Sequence, residues 1–382
     1  MSNPGGQRSS RPVVLLFGAG KLSLGLLAPL HNPDQIDLHM VGRRNGNSSA
    51  IAHKLAADRS YVLEVRGEEP RQVTIAGFHY SDTPDGLKEV TELLRSERTL
   101  VVLVCAGEGQ RDVIDLIRDA LACDLPPVLP DLLVVPCENV VSPDFQKLAA
   151  DSESFCRLIS VGKSMVDRAC SEPPQIIDGR VVIATEAFYE WAVELGSSIG
   201  TTPFASAHGQ IIQWIGADLT GSVAPVRERK ALLMNGVEST LAALALADWI
   251  QEEKPITLSD YVAVDYGGRN LDGLIADFSA ILAIRLAAMG MAESVGRIDE
   301  EAAHYRTRIK ENPKETATRI FRRVLEYRID EHWDDWQYKV LQPMATYRRY
   351  CGSNPPFIED AIEAMFDLIE WYRNQQGKGR RL

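Results

Sequence analysis

The chain has 382 residues, 45% of them apolar and 25% charged, and a net charge of −12. That length suits two or three domains with sizeable cores. The acidic balance argues against a general nucleic-acid binder or an anionic-membrane binder, so neither partner is expected.

The six cysteines, at 105, 123, 137, 156, 170 and 351, form no CxxC pair. They fit a reduced, cytoplasmic protein with structural thiols better than a disulfide scaffold or a zinc site, and no metal is expected. No run approaches the roughly 18 apolar residues of a membrane helix. Residues 1–12 are polar and lack the apolar core of a signal peptide; they and the basic tail 377–382 read as flexible ends.

Val13–Phe17 is a continuous apolar run, as expected of a strand buried on both faces. It leads into Gly18-Ala19-Gly20-Lys21-Leu22-Ser23-Leu24-Gly25, a glycine-rich turn entering a helix. A second strand, Asp37–Gly42, ends in Arg43-Arg44. Residues 49–58 read as a helix. Tyr61–Val65 and Gln72–Tyr80 alternate and read as a hairpin or paired strands, and 87–94 as a short amphipathic helix. The strand Thr99–Ala106 precedes a helix from Gln110 to Ala122. A further strand, Asp131–Pro136, ends in Cys137-Glu138-Asn139. This alternation predicts an α/β fold with a parallel, doubly wound sheet.

After Val181–Ala184 and a strand-like Ile211–Ile215, nearly everything reads as helix. The expected segments are 231–252, 258–264, 272–289, 300–310, 316–327 and 358–374. Gly196 to Pro203 reads as a linker. The expected organisation is a Rossmann-type dinucleotide-binding domain over 13–200 and a mostly α-helical substrate or catalytic domain over 201–376.

Gly18-x-Gly20 after a buried strand is the start of a dinucleotide fingerprint. Its glycines let the backbone approach a pyrophosphate that rests on a helix N-terminus. Ser23 stands where the third glycine usually lies, and Gly25, two residues on, is placed to allow the close helix–strand contact. An NAD site usually puts an acid at the end of the second strand. Here Arg43 and Arg44 stand there, and a guanidinium suits a 2′-phosphate, so NADP is favoured over NAD.

In the second half, Lys230, Asn235 and Glu238 are polar groups at the start of an apolar helical run. On an α-helix Asn235 and Glu238 share a face, while Lys230 lies about 12 Å from Glu238 along the axis. The pattern allows Lys230 as a base and Asn235 as a hydrogen-bond donor. It also allows a merely solvated first turn.

Five landmarks occur in one order: the Phe17-to-Gly25 turn, Cys137-Glu138-Asn139, Met165-Val166-Asp167-Arg168, Phe188-Tyr189-Glu190-Trp191, and Arg229-Lys230-x4-Asn235. In these the chain resembles the polyol-specific long-chain dehydrogenases, or mannitol dehydrogenase family, most closely its mannitol-1-phosphate 5-dehydrogenase branch. The resemblance covers about residues 13 to 250. It implies a metal-free active site, with Lys230 as general base and Asn139 and Asn235 stabilising the developing oxyanion. It further implies a cofactor site built from Gly18, Gly20, Lys21, Leu22, Arg43, Arg44, Ala106 and Glu138. Asp167 and Arg168 are candidates for orienting the substrate, and a salt bridge is their plainer reading.

Glu238 departs from the family, which has histidine there. A carboxylate only accepts hydrogen bonds, and beside Lys230 it favours the ammonium form. Glu238 therefore reads as a binder of a different substrate group, as the proton acceptor itself, or as the mark of a lost reaction. The aromatic stretch with Trp333, Trp336 and Tyr350 also departs from the family, and core packing is its plainer reading. The expected function is an NADP-preferring oxidoreductase, a monomer or homodimer, acting on a polyol, sugar or sugar phosphate. The alternatives are an epimerase or isomerase that keeps its nicotinamide, and a non-catalytic nucleotide-binding regulator.

Overall fold

The computed structural model describes residues 11–45, 49–123, 128–138, 141–168, 170, 172–195, 204–249, 257–291, 295–311, 317 and 340–376. Asn139, the linker 196–203, nearly all of the helix expected over 316–327, Trp333, Trp336, 1–10 and the tail 377–382 lie outside those residues. The chain divides into two compact units, Met1–Val223 and Ala224–Leu382.

The first unit begins with β1 (Val13–Phe17), β2 (Asp37–Gly42), β3 (Ser60–Val65), β4 (Arg71–Thr74), β5 (Gly77–Tyr80), β6 (Thr99–Val104), β7 (Leu132–Pro136) and β8 (Ile159–Val161). Six of these form one sheet in the order β5-β2-β1-β6-β7-β8, every neighbouring pair parallel. That is the doubly wound order of a Rossmann-type domain. β1 and β7 are buried along their whole length, which is why they read as unbroken apolar runs. The order reverses between β1 and β6, leaving a crevice at their carboxyl ends.

Two smaller sheets complete the unit. They use β9 (Lys163–Asp167), β10 (Gln175–Ile177), β11 (Arg180–Thr185), β12 (Glu190–Glu194) and β13 (Asp218–Leu219). Their orders are β10-β11-β3-β4 and β13-β12-β9.

Two expectations change. The run Gln72–Tyr80 is not one strand. β4 pairs antiparallel with β3, while β5 joins β2 in the large sheet. The Ile75 N–H donates to the Arg59 carbonyl and the Ala76 N–H to the Leu38 carbonyl, so the chain changes sheet within two residues. Ile211–Ile215 is not a strand either. Most of it belongs to a helix, Phe204–Trp214, whose Ile211 and Ile212 are buried, as is Ile215 just beyond its end. Short apolar runs do not separate the two states.

Arg157 ties the sheet to its loops. Its side chain is 0% exposed. Its Nε donates to the Pro130 carbonyl at 2.7 Å, Nη1 to Leu94 and Ser96 at 2.9 and 3.3 Å, and Nη2 to Thr99 and Asp131 at 2.7 and 3.5 Å. Five carbonyls thus face the five N–H donors of one guanidinium. Burial pushes its pKa down to about 10, against the opposing influence of Cys156 and Asp131, and it stays charged at neutral pH.

At the β2–β5 edge, His39 Nδ1 lies 2.9 Å from His79 Nε2, and His79 Nδ1 lies 2.8 Å from Glu89 Oε2. Burial pushes His39 down to about 4 from 6.5; His79, Arg98 and Arg59 add to the shift and Asp37 opposes it. The unfolded chain therefore binds the extra proton between those values, and stability rises with pH across the window. The contribution is present above pH 6.5 and is lost as pH falls towards 4. Thermal melts should show a Tm that drops across this range, and His39→Gln should flatten the drop. An unchanged slope in the variant would assign the dependence to other groups.

In the second unit, Ala224–Arg229, Lys230–Gly236 and Val237–Trp249 follow one another without a break. Further helices span Leu258–Ala263, Asp265–Ala288, Ile298–Glu311, Gln342–Cys351 and Pro356–Gln376. Leu232, Leu233, Val237, Leu241, Phe278 and Ile281 form part of their shared core. The run Ala224–Asp248 has the length and composition of a membrane span, but 61% of its most apolar window is buried inside the protein. A core helix passes that composition test as well. The buried Asp277 carboxylate accepts the Phe357 and Ile358 N–H groups at 2.9 and 3.2 Å. It thereby caps Pro356–Gln376 from a different helix, satisfying two of that helix's first donors.

Candidate functional site

β1 is followed by Gly18, whose φ is +114°, a region that favours glycine. A Cβ there would collide with the Cys105 carbonyl. The Gly18 N–H donates to the Val41 carbonyl and the Cys105 N–H to the Phe17 carbonyl, both at 2.8 Å. The turn is thus held between β2 and β6. The chain then enters a helical segment whose Ser23–Leu27 portion is a π-turn. Gly25 takes the role of the missing third glycine: a Cβ there would strike Cys170 Sγ and Thr185. Arg168 fixes this contact, donating from Nη1 to the Gly25 carbonyl at 2.9 Å and from Nε and Nη2 to the Glu186 carbonyl at 3.1 and 3.0 Å.

A cleft of about 1160 Å3 opens at this end of the sheet. Of the expected cofactor residues, Gly18, Gly20, Arg43 and Ala106 line it. Lys21 turns away, its Nζ 3.5 Å from the Cys170 carbonyl, and Leu22 packs against the core. Glu138 bridges strand ends by accepting the Gly107 N–H at 2.6 Å. Burial raises its carboxyl pKa, while the bonds from Gly107 and Cys105 pull it back. Cys105, at the cleft floor, is pushed up to about 12 by burial and by Glu138, so its thiol stays protonated.

The end of β2 differs from the sequence expectation in its surroundings. The Arg44 and Asn45 N–H groups donate to the Asp82 carboxylate at 2.6 and 2.9 Å. Although desolvation opposes it, these donors and Arg43 hold the Asp82 carboxyl below the usual range. Arg43 is itself ion-paired with Asp112. Sequence reasoning missed both carboxylates because it looked for the acid on β2 alone. Asp82 follows the neighbouring strand β5, and Asp112 begins the helix after β6.

Asp167 is buried at the end of β9, opposite Glu190 on β12. Arg168, bound to the Gly25 and Glu186 carbonyls, also lies 5.5 Å from the Tyr189 ring. These contacts give Arg168 a part in holding the glycine turn.

In the second unit, Lys230–Gly236 is a π-turn inside a longer helix. In an α-helix residues five apart lie about 140° from each other around the axis. An i→i+5 ladder instead stacks them on one side. Lys230 and Asn235 therefore face the same way, and α geometry resumed over three more residues brings Glu238 back by about 60° towards Lys230. All three are half-buried. The Thr240 hydroxyl donates to the Gly236 and Val237 carbonyls, at 2.9 and 3.1 Å, where the ladder changes type. Flanking Lys230, Glu228 pairs with Arg285 at 3.1 Å and Arg229 with Glu301 at 2.5 Å, all four side chains at most 20% exposed. These pairs anchor the turn that carries the lysine. Among the described residues no cluster of histidine, cysteine or acidic side chains is arranged to hold a metal ion.

No family model matches the chain, and no curated protein matches it by sequence. Solved structures do. A substrate-free D-sorbitol dehydrogenase is similar at a TM-score of 0.52 and 15% identity, over 81% of this chain and 72% of that one. The Pseudomonas fluorescens mannitol 2-dehydrogenase, in ternary complex with NAD and D-mannitol, is similar at 0.55 and 12%, over 93% and 78%. A 2-dehydropantoate 2-reductase from Geobacter metallireducens GS-15 is similar at 0.51 and 14%, over 93% and 99%. At these identities the likeness is one of fold: the chain has a polyol-dehydrogenase-like fold, a Rossmann-type α/β unit followed by a mostly helical one.

Proposed function

We propose that this chain is a nicotinamide-dependent oxidoreductase. Its substrate is a polyol, sugar or sugar phosphate of the mannitol-1-phosphate/fructose-6-phosphate type. The observation that carries this reading is the π-turn, which sets Lys230, Asn235 and Glu238 on one side of a helix, in a chain that also holds the Gly18-x-Gly20 turn at a sheet switch point. The D-sorbitol and mannitol 2-dehydrogenases among the similar folds support it.

The glycine turn fits a dinucleotide, since a Cβ built at Gly20 would meet nothing within 4 Å and its backbone stands open to the cleft. When bound, the nicotinamide supplies a hydride acceptor or donor. In the oxidising direction Lys230 removes the proton of the substrate hydroxyl, and the hydride leaves the same carbon. Asn139 and Asn235 donate hydrogen bonds to the oxygen as charge develops on it, a type of contact that counts for several kcal/mol in such reactions. In the reducing direction Lys230, as ammonium, returns the proton to the ketone oxygen.

Glu238 sets the direction. A carboxylate on the Lys230 side of the helix favours the ammonium form of the lysine and so opposes its use as a base. The site is thus poised at neutral pH for ketone reduction. Wild type and Glu238→His should be compared for NADH and NADPH oxidation with fructose 6-phosphate, and for the reverse reaction with pH. Wild type should reduce the ketone at neutral pH, and the variant's oxidation rate should rise at a lower pH, the direction that loss of an opposite charge on the same flank predicts. Silence of both proteins with every ketose, while a dinucleotide still binds, would remove this substrate class. Turnover without net nicotinamide consumption would mark an epimerase or isomerase built around Glu238.

For the cofactor, Arg43 and Arg44 favour NADP by charge type, and the carboxylates beside them favour NAD.

A further inference from the structure

Within the proposed reading of Lys230 as the proton-transfer group, on which this inference rests, the direction of that lysine is set by the two residues before it. Successive residues of a helix point about 100° apart around its axis. Glu228, Arg229 and Lys230 therefore leave the helix in three different directions. Glu228 is paired with Arg285 at 3.1 Å, on the helix Asp265–Ala288. Arg229 is paired with Glu301 at 2.5 Å, on the helix Ile298–Glu311. Both of those helices also touch the π-turn. The segment that carries the two pairs, Ala224–Arg229, is six residues long, and its buried residue is the charged Glu228. Its apolar residues Ala224, Pro225 and Val226 are only half-buried. The segment after the π-turn is the opposite case, with Val237, Leu241 and Ala245 all 0% exposed. Apolar packing thus fixes the rotation of the helix after the turn, and ion pairs fix it before the turn.

We infer that Arg285 and Glu301 are positioning residues for Lys230: through Glu228 and Arg229 they hold the helix in the π register that sets Lys230 and Asn235 on one side. The register is visible at the Val237 N–H, which donates to the Leu232 carbonyl five residues back. Such ladders are rare and short, because the same residues can close the ordinary bonds four residues back. In that α register Asn235 would stand about 140° from Lys230 around the axis. Reaching it requires the segments before and after the turn to rotate against each other by about one residue. The later segment is fixed in the core, so the earlier one would have to turn, and its two pairs to two different helices oppose that. Buried ion pairs add little to stability but are well suited to fixing a register. Each pair is also neutral as a whole, so Lys230 is held without a net charge being added beside it.

The test uses the full chain as wild type, Arg285→Met, Arg285→Lys, Glu301→Gln, and Glu228→Gln combined with Arg285→Met. The double variant removes a pair without leaving a buried charge alone, so it keeps the fold if Arg285→Met does not. Ketose reduction and its reverse are followed against pH, and crystal structures of the double variant and Glu301→Gln show the ladder. In both structures the Val237 N–H should move to the Leu233 carbonyl, the α partner. In Arg285→Met, Glu301→Gln and the double variant kcat should fall about tenfold to a hundredfold, the scale of a reacting group displaced by about 1 Å. KM should change less than about threefold, because a contact used only in the transition state is lost. Arg285→Lys, which keeps the charge, should recover most of the rate. A π ladder retained in both structures overturns the inference whatever the rates. So does an unchanged limiting rate with pH profiles that move in opposite directions in Arg285→Met and Glu301→Gln. That is the mark of charge alone, since one variant leaves a carboxylate and the other a guanidinium. If no protein turns over any ketose, the proposed function fails, and the ladder still decides whether the pairs hold the register.

Discussion

Replacing Arg157 with methionine is expected to destabilise the first unit by about 3–5 kcal/mol, the balance of several buried carbonyls left unsatisfied at about 1–3 kcal/mol each against the relieved burial of a charge. Two opposing effects set this size. Burial costs the guanidinium, as its lowered pKa shows, and methionine relieves that cost. Methionine also leaves the carbonyls of Pro130, Leu94, Ser96, Thr99 and Asp131 without their donor. Each unsatisfied buried acceptor costs about 1–3 kcal/mol, so the second effect wins even if water reaches some of them. Arg157→Lys should lose less, because it keeps the charge and three donors. Urea unfolding followed by fluorescence reads both variants. A methionine variant within about 1 kcal/mol of wild type would show that the carbonyls find other partners.

Replacing Lys230 with methionine is expected to lower kcat about 10²–10⁴-fold, the usual size of a positioned acid–base group, with dinucleotide binding unchanged. Lys230→Arg separates charge from proton transfer. A guanidinium keeps the positive charge but does not deprotonate in this pH range. It should therefore be as inactive as methionine in the oxidising direction, and the pH dependence of that direction should vanish. A variant that retained activity with the wild-type pH profile would show that Lys230 is not the proton acceptor. Glu238 would then be the group to examine, since the π-turn brings it round to the same flank.

Much of the sheet is legible in the sequence because burial on both faces writes strands as unbroken apolar runs: β1, β6 and β7 stand where Val13–Phe17, Thr99–Ala106 and Asp131–Pro136 predict them. Gly25 is legible as a substitute third glycine because only a missing Cβ allows the approach of Cys170 and Thr185. Ile211–Ile215 misleads because an apolar run of five has no period long enough to separate strand from helix. The π-turn is invisible to reasoning at 3.6 residues per turn. It moves Asn235 from the far side of the helix to the side of Lys230 without changing a residue type. Arg157 gives no signal at all. A lone arginine between Cys156 and Leu158 reads as surface, and its acceptors lie 26 to 63 residues away in the chain. Asp82 and Asp112 escape notice for the same reason: the end of the adjacent strand β5 and the helix after β6, not neighbouring residues, bring them to the end of β2.

Transfer of hydride between a nicotinamide and a carbinol carbon is the step on which the proposed function stands. It is tested most directly by incubating wild type with NADH carrying deuterium at the transferable C4 position, together with fructose 6-phosphate and a panel of free ketoses, and analysing the products by mass spectrometry and NMR. Direct hydride transfer predicts one deuterium on the carbinol carbon of a polyol product, formed in step with the loss of reduced cofactor. Bound cofactor that keeps its deuterium with every ketose, or deuterium that leaves and returns to the cofactor with no polyol formed, would contradict it.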